Sequence, residues 1–268
     1  MKDTRISFLG GGNIAQAIVG GLLENGVPSQ SITVADPAPE QLQRLASINV
    51  NTTTDNLEAA ANSELLVVCV KPDVVGKLVK EIAATVKNKL IISVAAGITT
   101  EFIAGNLEPH AAIVRCMPNT PALVQCGMTG LFANEHVSPS EKELAEYVAS
   151  AIGAYIWFDD ESDLDAVTAI SGSGPAYFFY VMEAMEEAGR KLDLPADVVH
   201  KLVTQTALGA AKMAIASDDS PGELRRKVTS AGGTTQAALD ELQEQDLVTT
   251  FEMAIKAAWQ RSKSLSGT

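Results

Sequence analysis

Phe8-Leu9-Gly10-Gly11-Gly12-Asn13-Ile14-Ala15 is the stretch that decides the fold. A short apolar run ends in three glycines, and helical periodicity starts directly after them. The stretch contains G-x-G-x-x-A, with Ala15 as the small third position that lets helix pack on strand. Glycines suit a turn tight enough for a pyrophosphate to meet backbone atoms. The helix N-terminus beyond then aims free N–H groups and its dipole at that anion. The pattern is weak by itself and gains meaning between a strand and a helix. Residues 6–10 read as that strand and residues 14–24 as that helix.

Outward from the loop, short β-branched runs alternate with amphipathic segments as far as residue 158. Strands are expected at 6–10, 32–35, 65–70, 90–94, 112–116 and 154–158. The run Leu65-Leu66-Val67-Val68-Cys69-Val70 is apolar throughout, as a strand buried on both faces of a parallel sheet should be. The fold class expected is therefore α/β, a doubly wound Rossmann-type dinucleotide-binding domain. After Asp163 no strand alternation remains, and helices start near Pro175, Pro195 and Pro221, where proline suits a first turn. Residues 177–185 are apolar nearly all round, which predicts a helix buried on most sides. Gly209-Ala210-Ala211 would let a neighbouring backbone come close. An all-helical C-terminal domain of this character points to an obligate dimer. The division expected is 1–161 for the dinucleotide domain and 162–268 for the helical, dimerisation and substrate domain.

Charge limits the partners. Lys plus Arg is 20 against 33 Asp plus Glu, a formal charge of −13. So acidic a chain lacks the electrostatic footprint for nucleic acid or an anionic membrane. Anions must instead be met by local backbone amides. Cys69, Cys116 and Cys126 show no C-x-x-C spacing, and His110, His136 and His200 are scattered. Hence no metal site is expected, and the cysteines read as buried reduced thiols. With no signal-like h-region and no long apolar run, the expectation is a soluble cytoplasmic protein.

Several motifs sit where chemistry is expected. Asp36 ends the second strand, where an acid accepts from the ribose hydroxyls of NAD and repels a 2′-phosphate, so the loop prefers NAD. Val70-Lys71-Pro72, Ser93-Val94-Ala95-Ala96-Gly97 and Met117-Pro118-Asn119-Thr120-Pro121 end three further strands and should face the dinucleotide. The small residues at 93–97 leave room for a flat nicotinamide ring. The acidic run 159–165 reads as a solvated loop and first helical turn, with one acid facing a cationic substrate nitrogen as the sharper alternative. As a calcium loop it fails, since Leu164 and Ile170 stand where glycine and glutamate are needed. Ser171-Gly172-Ser173-Gly174-Pro175 is not a hydrolase elbow and reads as a capped interhelical turn. Thr229-Ser230-Ala231-Gly232-Gly233-Thr234-Thr235 opens a helix through Leu242, with amides and hydroxyls suited to a carboxylate.

Taken in order, the loop at 10–15, Val70-Lys71-Pro72, Ala95-Ala96-Gly97, Asn119-Thr120-Pro121, Asp165-Ala166-Val167-Thr168, Ser171–Tyr177 and Thr229–Thr235 resemble pyrroline-5-carboxylate reductases along essentially the whole chain. The last two segments carry the resemblance most specifically. It implies reduction of Δ1-pyrroline-5-carboxylate to L-proline by NADPH or NADH. The implied cofactor contacts are Leu9, Gly10, Gly11, Gly12, Asn13, Ile14, Asn56, Cys69, Val70, Lys71, Pro72, Val94, Ala95 and Ala96, to which the residue reading adds Asp36. Glu161, Ser230, Gly233, Thr234 and Thr235 would surround the substrate. Thr235 would act at the ring nitrogen and Glu161 would favour the cationic iminium. The resemblance also implies a homodimer, with further assembly into a pentamer of dimers. Asp36 departs from NADPH-using members and points to dual cofactor use.

Two rival readings remain, an enzyme of the β-hydroxyacid dehydrogenase type and a non-catalytic sensor. A β-hydroxyacid dehydrogenase needs a lysine with asparagine one turn later, but Lys201 is followed by Gln205 and Lys212 by Ala216. A non-catalytic NAD(P) sensor would not need the hydroxyls at 229–235.

Overall fold

The computed structural model describes residues 4–107 and 110–266, apart from the side chain of Ser266. Eight strands form one sheet: β1 Ile6–Leu9, β2 Ile32–Ala35, β3 Asn51–Thr53, β4 Leu65–Val68, β5 Leu90–Ser93, β6 Ala112–Met117, β7 Gly127–Ala133 and β8 Gly153–Trp157. Their spatial order is β3-β2-β1-β4-β5-β6-β7-β8. The first six pair in parallel, β7 runs antiparallel to β6, and β8 is parallel to β7. The helices between them are α1 Asn13–Glu24, α2 Pro39–Ala46, α3 Asn56–Ala61, α4 Pro72–Ile82, α5 Thr100–Ala104 and α6 Pro139–Ser150. The order reverses between β1 and β4, and a dinucleotide-binding sheet takes its ligand at the carboxyl ends there.

Two apolar cores sit on opposite faces of this sheet. Leu65 and Val67 enter one and Leu66 and Val68 the other, and all four are fully buried. The unbroken apolar run is thus a central strand. Each such side chain contributes about 1.5–3 kcal/mol by leaving water. Two strands are additional to those expected. β3 is the polar triplet Asn-Thr-Thr at the sheet edge, and β7 is interrupted by Gly127 and Gly130.

Beyond β8 the described chain is helical: α7 Asp163–Val167, a π-helical stretch Thr168–Gly172, α8 Gly174–Arg190, α9 Ala196–Ala216, α10 Pro221–Lys227, α11 Thr234–Glu244 and α12 Leu247–Ser266. Ser171-Gly172 therefore lies inside a widened helix, not in the interhelical turn expected. Proline chemistry accounts for this. Pro175 has no N–H to give the Ser171 carbonyl four residues back, and its ring crowds that carbonyl. The chain widens by one residue there, with the Ser173 N–H donating to the Thr168 carbonyl at 2.8 Å. The freed Ser171 carbonyl accepts instead from Asn119 Nδ2 at 3.2 Å.

Two compact units result, Met1–Ser173 with Ala258–Thr268, and Gly174–Ala257. The first unit extends past the textural change at Glu161 and takes back the end of α12. In the second, α8 leans on α9, with Glu186 Oε1 2.8 Å from His200 Nδ1. The expectation that residues 177–185 are buried does not hold within one chain. Phe178, Phe179 and Tyr180 are 69%, 63% and 73% exposed. Gly209 likewise has no described atom within 4 Å of its would-be Cβ. Faces this apolar require a cover from outside the chain.

Candidate functional site

At the end of β1 the chain turns through Gly10 with φ +105°. A Cβ there would stand 2.8 Å from the backbone C and O of Cys69 and 3.0 Å from the Val70 nitrogen. Only glycine fits both the angle and the space. The turn is held by the Gly10 N–H on the Ala35 carbonyl and the Cys69 N–H on the Leu9 carbonyl, both at 2.8 Å. Gly12 precedes α1 in an extended conformation, and no described atom lies within 4 Å of its would-be Cβ. No side chain caps α1, and its first turn, beginning at Asn13 and Ile14, holds no acid. Open amides, a dipole end and empty space together fit a dinucleotide pyrophosphate.

Asp36 stands beside this turn. Its Oδ2 accepts the Gly11 N–H at 2.7 Å and its Oδ1 the Ala38 N–H at 2.8 Å. The carboxylate therefore braces the glycine turn, a role the spacing did not reveal. Asn56 begins α3, with Nδ2 3.5 Å from Glu81 Oε2. Cys69 and Val70 are partly buried after β4, while Lys71 and Pro72 are exposed at the uncapped start of α4. Burial pushes the Cys69 thiol well above its ordinary value, so it stays protonated. Leu9, Gly10, Gly11, Gly12, Asn13, Ile14, Asp36, Cys69, Val70, Lys71 and Pro72 thus gather at the β1 and β4 carboxyl ends, either side of the order reversal.

The turn after β5 carries Val94, Ala95 and Ala96. It is held by the Val94 N–H on the Val68 carbonyl at 3.0 Å and by Ser93 Oγ near the Ala95 N–H at 3.4 Å. Asn119 does not face that crevice with a free amide. Its Oδ1 accepts the Met128 N–H at 2.9 Å, and its Nδ2 is spent on Ser171.

Glu161 is bound inside the first unit. Oε1 accepts the Thr100 N–H at 2.8 Å and lies 3.2 Å from Arg115 Nη1, and Oε2 accepts the Thr100 hydroxyl at 2.7 Å. Nor is the acidic run solvated throughout. Asp165 is buried and its Oδ1 accepts the Ser262 hydroxyl at 2.5 Å. Asp159, Asp160 and Asp163 are exposed, and Asp160 is held below its ordinary value by the Ser162 amide and hydroxyl. Arg115, Thr100 and Ser262 went unread in the sequence. Arg115 did leave a signal, as the one charge inside the apolar run Ala112-Ile113-Val114-Arg115-Cys116.

In the second unit the segment before α11 makes a second bare helix start. Gly232 has φ +69°, Gly233 stands at the N-cap, and no side chain caps α11 or puts an acid in its first turn. Ser230 Oγ lies 2.5 Å from where a Gly233 Cβ would be, which packs that hydroxyl over the helix start. Ser230, Thr234 and Thr235 are exposed. The basic triplet before them is partly neutralised, with Arg226 paired to Glu223 at 3.3 Å and Lys227 to Asp219.

Among the described residues no group of His, Cys, Asp or Glu is placed to hold a metal ion. Cys116 is buried as expected, but Cys126 is exposed, following the left-handed Gln125 before β7. No described helix is long and apolar enough to cross a membrane.

The comparisons with known proteins bear on both units. The family model "Pyrroline-5-carboxylate reductase dimerisation" matches residues 161–265, and "NADP oxidoreductase coenzyme F420-dependent" matches residues 5–97. A pyrroline-5-carboxylate reductase of Pseudomonas aeruginosa is 44% identical over 268 residues, covering 99% of this chain and 98% of that protein. Among solved structures, a pyrroline-5-carboxylate reductase from Coxiella burnetii matches with a TM-score of 0.94 at 41% identity, over 99% of this chain and 100% of that one. The pyrroline carboxylate reductase of Plasmodium falciparum, solved with NADP bound, matches with a TM-score of 0.90 at 28% identity, over 99% of each chain. With the open glycine turn, the second bare helix start and full-length identity above 40%, the chain belongs to the pyrroline-5-carboxylate reductase family.

Proposed function

We propose that the chain reduces the C=N bond of Δ1-pyrroline-5-carboxylate to L-proline, using NADPH or NADH, as a homodimer. One observation carries the reading beyond family membership. In a chain of net charge −13, α1 and α11 both begin without a side-chain cap or an acid in the first turn, and glycines precede both. One suits a pyrophosphate and the other a carboxylate, the two anionic groups this reaction brings together.

When bound, a reduced nicotinamide supplies a hydride to the imine carbon. The protein's own part is binding and orientation. The amides at the start of α11, with the Ser230 and Thr234 hydroxyls, hold the substrate carboxylate at Gly233 and so orient the imine carbon for hydride transfer; the L configuration is already present at the carboxylate-bearing carbon, which the transfer does not touch. The Thr235 hydroxyl contacts the ring nitrogen and holds its proton there, which keeps the imine electrophilic. Val94, Ala95 and Ala96 leave a flat surface for the nicotinamide. Arg115 balances the Glu161 charge, so that residue's contribution to an iminium cation is reduced and its role is positional. Asp36 disfavours a 2′-phosphate without excluding it, and both cofactors are used. Assembly into a pentamer of dimers and a cytoplasmic location belong to the same proposal. Nicotinamide absorbance followed with pyrroline-5-carboxylate should fall with either cofactor; no oxidation with both would remove the reading.

A further inference from the structure

We propose that Arg115, acting through Glu161 and Thr100, is a positioning residue for the nicotinamide end of the cofactor site. The inference rests on the proposal that residues 94–97 support that ring.

Six residues, 94–99, join β5 to α5, and they contain Ala95, Ala96 and the left-handed Gly97. Ala95 is buried and Ile98 packs against the same core, and the turn is in addition held at its two ends. At the β5 end the ladder does this through Val94 and Val68. At the α5 end the first helical residue, Thr100, gives both its N–H and its hydroxyl to Glu161, at 2.8 and 2.7 Å. Thr99 caps the same helix through the Phe102 N–H at 3.1 Å. A carboxylate at a helix start is favoured by the dipole, and two charge-assisted bonds fix its orientation.

Arg115 holds that carboxylate in place. It lies in β6, directly beside Ser93 in register, and is 3% exposed. An arginine so buried is costly unless paired, and Glu161 is its ion-pair partner. Among the described residues Nη2 has no hydrogen-bond partner, so the pairing is not a fully satisfied structural bridge. A second tie closes on the same turn from the chain's other end. Buried Ser262 bonds Asp165, and Leu265 stands 3.4 Å from where a Gly97 Cβ would be. Every one of these residues belongs to the first compact unit.

The test uses four full-length variants: Thr100→Val, Thr100→Ser, Arg115→Lys and Glu161→Gln. Thr100→Val keeps shape and N–H and loses only the hydroxyl, so it tests the idea even if the Arg115 variant fails to fold. Two readouts are taken: fluorescence of bound NADPH, which reports the ring without any substrate, and the split between kcat and KM. The expected result for Thr100→Val is bound-NADPH emission shifted toward that of free NADPH, dissociation constant within threefold of wild type, and kcat lowered three- to tenfold. The KM for pyrroline-5-carboxylate should stay within twofold, and Thr100→Ser should restore kcat. Wild-type emission and kcat in Thr100→Val, with or without a lower melting temperature, would overturn the proposal. So would a Glu161→Gln effect confined to substrate KM, which assigns Glu161 to direct contact. If wild type fails to reduce pyrroline-5-carboxylate, the functional reading falls, while the emission readout still decides the positioning role.

Discussion

Gly10 and Gly12 lie two residues apart in one loop, and the structure gives them opposite jobs. Gly10 has φ +105° and a would-be Cβ 2.8 Å from Cys69 backbone atoms. Gly10→Ala must therefore absorb a backbone conformation costing about 1–3 kcal/mol and push the β4 carboxyl end aside. A total of ~3 kcal/mol would lower Tm by roughly 6–12 °C for a chain of this size. Gly12 is extended and has open space above it. Gly12→Ala should lower Tm by only about 2–4 °C, the ~1 kcal/mol that alanine costs at an N-cap. Its methyl, however, would enter the space proposed for the pyrophosphate. Losing one or two charged hydrogen bonds, each about 1.5–3 kcal/mol, predicts a dissociation constant for NADPH raised at least tenfold. Differential scanning fluorimetry and NADPH fluorescence titration on the same preparations read both effects. The reasoning is refuted if Gly12→Ala binds NADPH like wild type, or if Gly10→Ala melts like wild type.

Four further outcomes follow from the same structure. Thr235→Ala should lower kcat at least tenfold in steady-state assays; a loss within about threefold is under ~1 kcal/mol and denies it a role at the reacting atoms. Asp36→Ser should raise the NADPH-to-NADH ratio of kcat/KM about tenfold, ~1.4 kcal/mol, and lower Tm because Gly11 and Ala38 lose a charged acceptor; an unchanged ratio would mean that Asp36 only braces the loop. Phe179→Glu, at a 63% exposed apolar position on α8, should yield monomers by light scattering, whereas an intact dimer would place the interface elsewhere. Burial pushes the Cys116 thiol up, so below the unfolded value of about 8.5 both states keep the proton and stability does not respond. Above it only the unfolded chain ionises, and in urea melts Cys116 should contribute a fall in stability of up to ~1.4 kcal/mol per pH unit; buried Cys69 adds its own share, so Cys116→Ala should lessen the slope without abolishing it.

What could be read from the sequence divides along physical lines. The first glycine turn and the central strands were legible because burial on two faces writes a continuous apolar run, as at Leu65–Val68. β3 and β7 were not, because edge pairing asks little of a side chain and the glycines of β7 carry no β signal. The helices from Pro175 onward were legible from their prolines, but the π-helical stretch was not. It depends on Asn119, fifty-two residues away, taking the carbonyl that Pro175 leaves free. The apolar pattern of α8 was legible, and the exposure of Phe178, Phe179 and Tyr180 within one chain agrees with the dimer expected from it. At the site, α1 and α11 were found through their glycines. The Arg115–Glu161–Thr100 tie escaped because its members are joined only by the folded sheet.

The most direct test of the central claim follows one atom. NADPH carrying deuterium at the transferable nicotinamide C4 position is incubated with the protein and pyrroline-5-carboxylate, and the product is analysed by mass spectrometry and chiral chromatography. The product should be L-proline with one deuterium on the former imine carbon, formed in step with NADPH oxidation. Oxidation without proline, proline without the label, or no reaction with either cofactor would contradict that claim.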